Sequence, residues 1–204
     1  MVAVKVCGLT RVADAVLAAS LGASAIGFVF WEQSPRFVMP SVAARIRSAL
    51  PDHVSVVGVF VNASRARIEE VRTEVGLTGI QLHGEETSEF CESFSGEVIR
   101  AVTLENENSL QDLVGLSESL TLLLDAHDPV RHGGTGRVAN WNLAARLAER
   151  RRLFLAGGLK ADNVAEAVRL VRPYGVDVSS GIESEPGVKS KQLLESFFSA
   201  VAEA

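Results

Sequence analysis

The sequence predicts an α/β fold, a compact single (β/α)8 TIM barrel over residues 1–204, and three observations predict it. Short apolar, β-branched runs recur eight times, amphipathic stretches with three-four apolar spacing separate them, and each strand-plus-helix unit takes ~25 residues. Strands so apolar are buried on both faces, which requires a parallel sheet covered by helices. An open doubly wound sheet satisfies the same alternation, but a count of eight units favours closure. The barrel is small, since ~250 residues is usual for the class, so its loops must be short.

In chain order, the first strand is read in "VAVKVCG" (2–8). The uncharged stretch "AVLAASLGASAIGFVFW" (15–31) is slightly too short to span a membrane, and no basic leader precedes it. It divides at Gly22, where a helix ends and the second strand, "SAIGFVF" (24–30), begins. The third and fourth strands are "VSVVGVFVN" (54–62) and "GIQLHG" (79–84), with the helical segment "SRARIEEVRTEVG" (64–76) between them. Then come "EVIRAVTL" (97–104), "LTLLLDA" (120–126), "LFLAGGL" (153–159) and "GVDVSSG" (175–181). Helical patterns at 140–151 and 163–175 flank the seventh strand.

Lys and Arg number 20 against 25 Asp and Glu, a net charge of −5, which excludes a nucleic-acid partner or an anionic membrane surface. A small anionic ligand held by backbone amides and a few local cations remains open. The two cysteines, Cys7 and Cys91, read as reduced thiols of a cytoplasmic protein.

In either α/β architecture the chemistry lies beyond the carboxyl ends of the strands. Polar or special residues gather at those ends: Cys7, Gly8, the "SPR" of 34–36, Asn62, His83, Asp125, Gly157, Gly158, and Asp177 through Gly181. Glycine turns follow the last three strands, "HGGTG" (132–136), "AGGL" (156–159) and "SSGIESEPG" (179–187). Glycine lets successive N–H groups converge on an anion, and barrels commonly hold phosphate at the seventh and eighth loops. There is no GxxxxGK[ST] and no G-x-G-x-x-G after the first strand, so ATP and NAD are not expected. The scattered histidines and distant cysteines suit no zinc site, and no metal or cofactor is expected.

Asp125 follows four apolar residues, which desolvates its approach and suits it to act as an acid; the alternative is a cap or a loop ion pair. Cys7 is either a small buried hydrophobe or, across the mouth from Asp125, a base whose modestly lowered pKa leaves thiolate at neutral pH. Arg36 offers a planar fork for a carboxylate, or else makes a surface ion pair. His83 is a hydrogen-bond donor in the mouth or a satisfied core histidine, and Asp177 binds a substrate hydroxyl or orients a loop.

With "KVCGLT", "GFVF" and "SPRFV", "VGVFVN", "QLHG", "LLLDA" and "GGTG", "LAGGL", and "GVDVSSGIE" with "PGVK" in this order, the chain resembles the phosphoribosylanthranilate isomerase family from Lys5 to the final helix. The resemblance implies a (β/α)8 barrel performing an Amadori rearrangement in tryptophan biosynthesis on a small phosphorylated substrate, without cofactor or metal. It implies that Asp125 protonates the ribose ring oxygen, Cys7 removes the proton from the neighbouring carbon, and Arg36 holds the anthranilate carboxylate, with His83 and Asp177 also substrate-binding. Gly157, Gly158, Ser180 and Gly181 would hold phosphate, and the loop at Gly134 and Gly136 would close over the site. A monomer and a homodimer both fit. The chain departs from the family pattern at Ala139-Asn140-Trp141, where Phe-Asp-Trp is usual, and "LKADNV" lacks the usual proline, so that Asp162 or a neighbour must begin the seventh helix. The sister isomerase of histidine biosynthesis resembles a two-fold repeated barrel with an aspartate at the place of Cys7, so the thiol argues against it. A catalytically silent phosphate-binding or regulatory subunit is the alternative of another class.

Overall fold

A computed structural model describes residues 2–125 and 140–204. Eight strands form a closed barrel in sequence order: β1 (Ala3–Cys7), β2 (Ala25–Val29), β3 (Ser55–Phe60), β4 (Gly79–Leu82), β5 (Glu97–Val102), β6 (Thr121–Leu124), β7 (Leu153–Leu155) and β8 (Gly175–Val178). Every neighbouring pair is parallel, and β1 closes on β8 through the register Lys5 to Asp177. Helices α1 (Val12–Ser20), α2 (Pro40–Arg47), α3 (Arg65–Val75), α4 (Ser88–Glu92), α5 (Glu107–Val114), α6 (Trp141–Ala148), α7 (Val164–Val171) and α8 (Lys191–Ala202) alternate with the strands. Among the described residues, no helix is long and apolar enough to cross a membrane.

The period-two alternation of strand side chains divides the apolar residues between two cores. Val4, Val6, Ile26, Phe28, Val56 and Ile80 face outward and pack with Ala15, Ile46, Ile68, Val164 and Phe197 of the helices. Ala25, Val57, Ile99, Leu123, Phe154 and Ala156 face inward and fill the barrel. Truncating one such fully buried side chain to alanine costs about 2–5 kcal/mol.

Local chemistry sets the helix boundaries. Ser64 caps α3 by accepting from the Arg67 N–H, and Gly76 ends it in the left-handed region at φ 72°. Asn106 and Ser109 form a reciprocal capping box on α5. The buried Arg151 guanidinium donates to the carbonyls of Leu113, Leu116, Ser117 and Leu120, so it satisfies the end of α5 and the entry to β6 together. At α7 the N-terminal residue is Asn163; Asp162 instead pairs with Lys160. Past β8 a single 3-10 turn (Ser180–Ile182) leads into an antiparallel hairpin, β9 (Glu183–Glu185) and β10 (Val188–Lys189), a feature absent from the sequence expectation.

Candidate active site

Along β1 the alternation sends Ala3, Lys5 and Cys7 inward, and the Cys7 side chain joins Val29, Val59 and Trp31 in the apolar layer at the carboxyl-end mouth. The neighbouring backbone makes room for it. A Cβ on Gly27 of β2 would lie 2.8 Å from Cys7 Sγ and 3.2 Å from Lys5 Nζ. Gly8, at φ 73°, is equally constrained, because a Cβ there would meet Arg36 Cδ at 2.6 Å and Ser179 Oγ at 3.0 Å.

Lys5 is wholly buried and its Nζ lies 2.7 Å from Asp177 Oδ1 on the adjacent strand. Burial alone pulls the Lys5 ammonium down, but attraction to Asp177 and to the Cys7 sulfur outweighs it, so the lysine pKa is raised. The Cys7 thiol moves up as well. Desolvation is the dominant cause and Asp177 adds to it, against the opposing pull of Lys5 and Lys189. This corrects the expected lowered thiol pKa: the cations are present, but a sulfur fully enclosed by the barrel loses more hydration than they return. Asp177, expected at a hydroxyl of the ligand, has one oxygen committed to Lys5.

Arg36 sits on a second, linked ion pair. Its Nε bonds Glu183 Oε1 and Oε2 at 2.9 and 3.1 Å, and its Nη2 bonds Oε2 at 2.7 Å. The expected alternative of a surface ion pair is therefore replaced by a largely buried one, whose carboxylate comes from the hairpin that the sequence did not reveal. The buried Lys189 Nζ bonds Glu183 Oε1 at 2.8 Å, the Cys7 carbonyl at 2.6 Å and the Ser179 carbonyl at 3.2 Å. Burial would raise the Glu183 carboxyl, yet Arg36 and Lys189 hold it below the usual carboxylate range. Glu183 and Lys189 thus tie the Arg36 fork to the ends of β1 and β8.

Across the mouth, Gln81 and His83 succeed each other on the inner face of β4 and its extension, and Asp125 follows the inward Leu123 of β6. Gln81 Nε2 lies 2.8 Å from His83 Nδ1; an amide nitrogen only donates, so Nδ1 accepts and the ring proton sits on Nε2. That Nε2 lies 3.6 Å from Asp125 Oδ2, with both side chains mostly buried. His83 accordingly faces the mouth rather than the helix layer. Cys7 and Asp125 open on the same mouth, separated by β7 and β8 on the shorter way round. Asn62, by contrast, braces the β3 and β4 loops by accepting from the Glu85 N–H at 2.8 Å.

The seventh and eighth loops touch. Gly157 and Gly158 take φ 83° and 65°, and Asn163 fixes their turn by donating to the Gly158 carbonyl at 3.0 Å. A Cβ on Gly181 would fall 1.9 Å from the Leu159 carbonyl oxygen, so only glycine permits this approach of the Ser180–Gly181 turn. Gly134 and Gly136 lie outside the described residues. Asn140 caps α6, accepting from the Leu143 N–H at 3.3 Å, and so does the work that a carboxylate at this position would do.

Fold and mouth together define a (β/α)8 barrel with a thiol, a carboxyl and two glycine turns converging at the carboxyl ends of its strands. The sequence profile of the N-(5'-phosphoribosyl)anthranilate (PRA) isomerase family matches residues 4–200. The chain is 48% identical to an N-(5'-phosphoribosyl)anthranilate isomerase of Pelobacter propionicus, over 97% of this chain and 94% of that protein. Its structure superposes on the phosphoribosyl anthranilate isomerase of Thermotoga maritima with a TM-score of 0.92 at 39% identity, covering 100% of both chains. A phosphoribosyl anthranilate isomerase in complex with reduced 1-(o-carboxyphenylamino)-1-deoxyribulose 5-phosphate gives 0.89 at 38% identity, again over 100% of both. The chain belongs to the N-(5'-phosphoribosyl)anthranilate isomerase family.

Proposed function

We infer that the chain isomerises N-(5-phosphoribosyl)anthranilate to 1-(2-carboxyphenylamino)-1-deoxyribulose 5-phosphate, an aldose-ketose step of tryptophan biosynthesis. The observation that carries the mechanism is the placement of Cys7 and Asp125 on the inner surface of one mouth, beside the paired turns of the seventh and eighth loops.

In this reading Asp125 protonates the ribose ring oxygen, the C1–O bond breaks, and the nitrogen lone pair forms an iminium. The His83 Nε2–H, 3.6 Å from Asp125 Oδ2, lies beside the acid and is a donor available to the substrate. Cys7 as thiolate then takes the proton from C2; the C–H electron pair forms the C1=C2 bond and the iminium π pair returns to nitrogen. Tautomerisation of the enolamine yields the ketone. Burial raises the thiol pKa in the resting site, and the positive iminium formed by ring opening then draws the sulfur toward its thiolate.

Arg36, braced by Glu183, has guanidinium donors left for the anthranilate carboxylate. Gly157, Gly158, Ser180 and Gly181 hold the phosphate through backbone and hydroxyl donors, the Asp177 oxygen not held by Lys5 contacts a substrate hydroxyl, and the loop at Gly134 and Gly136 covers the site. The working unit is one domain, cytoplasmic, as a monomer or homodimer, and it needs no cofactor. Mixing the protein with phosphoribosylanthranilate and following the fluorescence of the anthranilate group tests the reading. A catalysed change is expected, and none with correctly folded protein would overturn it.

A further inference from the structure

The mechanism leaves one buried charge without a task. Lys5 lies inside a barrel otherwise filled by Ala25, Val57, Ile99, Leu123 and Phe154, where an apolar side chain of similar length would fill the same space without desolvating an ammonium. Among the described residues the oxygen bonded by its Nζ is Asp177 Oδ1, at 2.7 Å. Its tip also borders the space left open at Gly27, and that same space is bordered by Cys7 Sγ. Lys5 and Cys7 are two residues apart on one face of β1, so the ammonium and the thiol share the same side of the strand and meet at the space beside Gly27.

We propose that Lys5 is a positioning residue for Cys7: its ammonium, held in place by Asp177, supplies the positive potential that stabilises the thiolate before and during removal of the C2 proton. This rests on the isomerase reading given above. Lys5 neither gains nor loses a proton in the cycle. The proton on sulfur leaves to solvent as the thiolate forms, and the thiolate later takes the C2 proton and returns to thiol. The charged groups around the sulfur are Lys5 on β1, Asp177 on β8 and Lys189 on β10, with Glu183 and Arg36 behind Lys189 and His83 with Asp125 across the mouth. Lys189 is held by the Cys7 and Ser179 carbonyls and by Glu183, none of which the test below changes.

The arrangement predicts shifts of opposite sign. In a Cys91→Ser background, where Cys7 is the one remaining thiol, the thiolate is titrated by its ultraviolet absorbance in the absence of substrate. Lys5→Met should move the midpoint up, leaving about tenfold less thiolate at a fixed pH, and Asp177→Asn should move it down, by removing a carboxylate that repels the thiolate and by freeing the ammonium for sulfur. If Lys5→Met does not fold, a midpoint for Lys5→Met/Asp177→Asn above that of Asp177→Asn still supports the assignment, and one equal to it would overturn it. Midpoints that stay put, or that move the same way in both single variants, would overturn it. Because the titration needs no turnover, an inactive parent with the predicted shifts would remove the isomerase reading and leave the ammonium–thiol pairing. An active parent with unmoved midpoints would remove the Lys5 assignment alone.

Discussion

On the β1–β8 side of the mouth Lys5 meets Asp177 at 2.7 Å, and Glu183 meets Arg36 at 2.7 Å and Lys189 at 2.8 Å, all within apolar walls. On the β4–β6 side an amide and an imidazole are joined at 2.8 Å and stop 3.6 Å from the Asp125 carboxylate. The difference corresponds to the two proton transfers. On the thiol side fixed cations oppose the burial that disfavours the charged sulfur, and on the other side His83 lies beside the carboxyl assigned to donate a proton.

The largest expected effect comes from the acid side. Asp125→Asn keeps the shape and removes the proton, so kcat should fall by about 10²–10⁴ while the affinity for the reduced product analogue stays within about tenfold. Steady-state kinetics beside a binding titration measure both, and near-normal turnover would break the division of labour drawn above.

Gly27→Ala attacks the thiol side without removing a charge. The new Cβ would lie 2.8 Å from Cys7 Sγ and 3.2 Å from Lys5 Nζ, so the sulfur must shift. We expect kcat to fall about tenfold or more, as a displacement of roughly an ångström costs in general. An unchanged kcat would mean that the sulfur position is not critical.

Arg36→Ala should act mainly on binding. Losing charge-assisted bonds to a carboxylate, at about 1.5–3 kcal/mol, raises KM by about ten- to a hundredfold with a smaller change in kcat. The reverse pattern, lower kcat at constant KM, would move Arg36 from ground-state binding to the chemistry.

Glu183→Gln sharpens the comparison through stability. The folded pKa of Glu183 is depressed below its unfolded value of ~4.3, so its contribution is fully present above that pH and is lost as pH falls through the folded pKa. Urea unfolding should therefore show the variant about 1–3 kcal/mol less stable at neutral pH, with the gap closing in acid. A gap independent of pH would place the effect in packing rather than in charge.

How much of this was written in the sequence depends on distance along the chain. The strands were legible because their burial writes short apolar, β-branched runs, and Cys7, His83 and Asp125 could be placed because each stands at the carboxyl end of such a run. Strand ends were overrun: "GIQLHG" stops at Leu82, since Gly84 is already turned to donate to Glu86. Lys5 carried a readable signal, a lone charge at an alternate position of an apolar run. Glu183 and Lys189 carried little, because their hairpin is five residues of strand and Lys189 reaches a carbonyl 182 positions away. The thiol pKa was misjudged because its desolvation comes from neighbours elsewhere in the chain, Val29, Val59 and Trp31, which the run around Cys7 does not display.

The central claim is that Cys7 takes the proton. Its most direct test is the kcat of Cys7→Ala at saturating phosphoribosylanthranilate, measured beside the Kd of that variant for the reduced product analogue. The account predicts a kcat lower by about 10²-fold or more with Kd within about tenfold of the parent. A kcat within about threefold of the parent, a difference of less than ~1 kcal/mol, would contradict it.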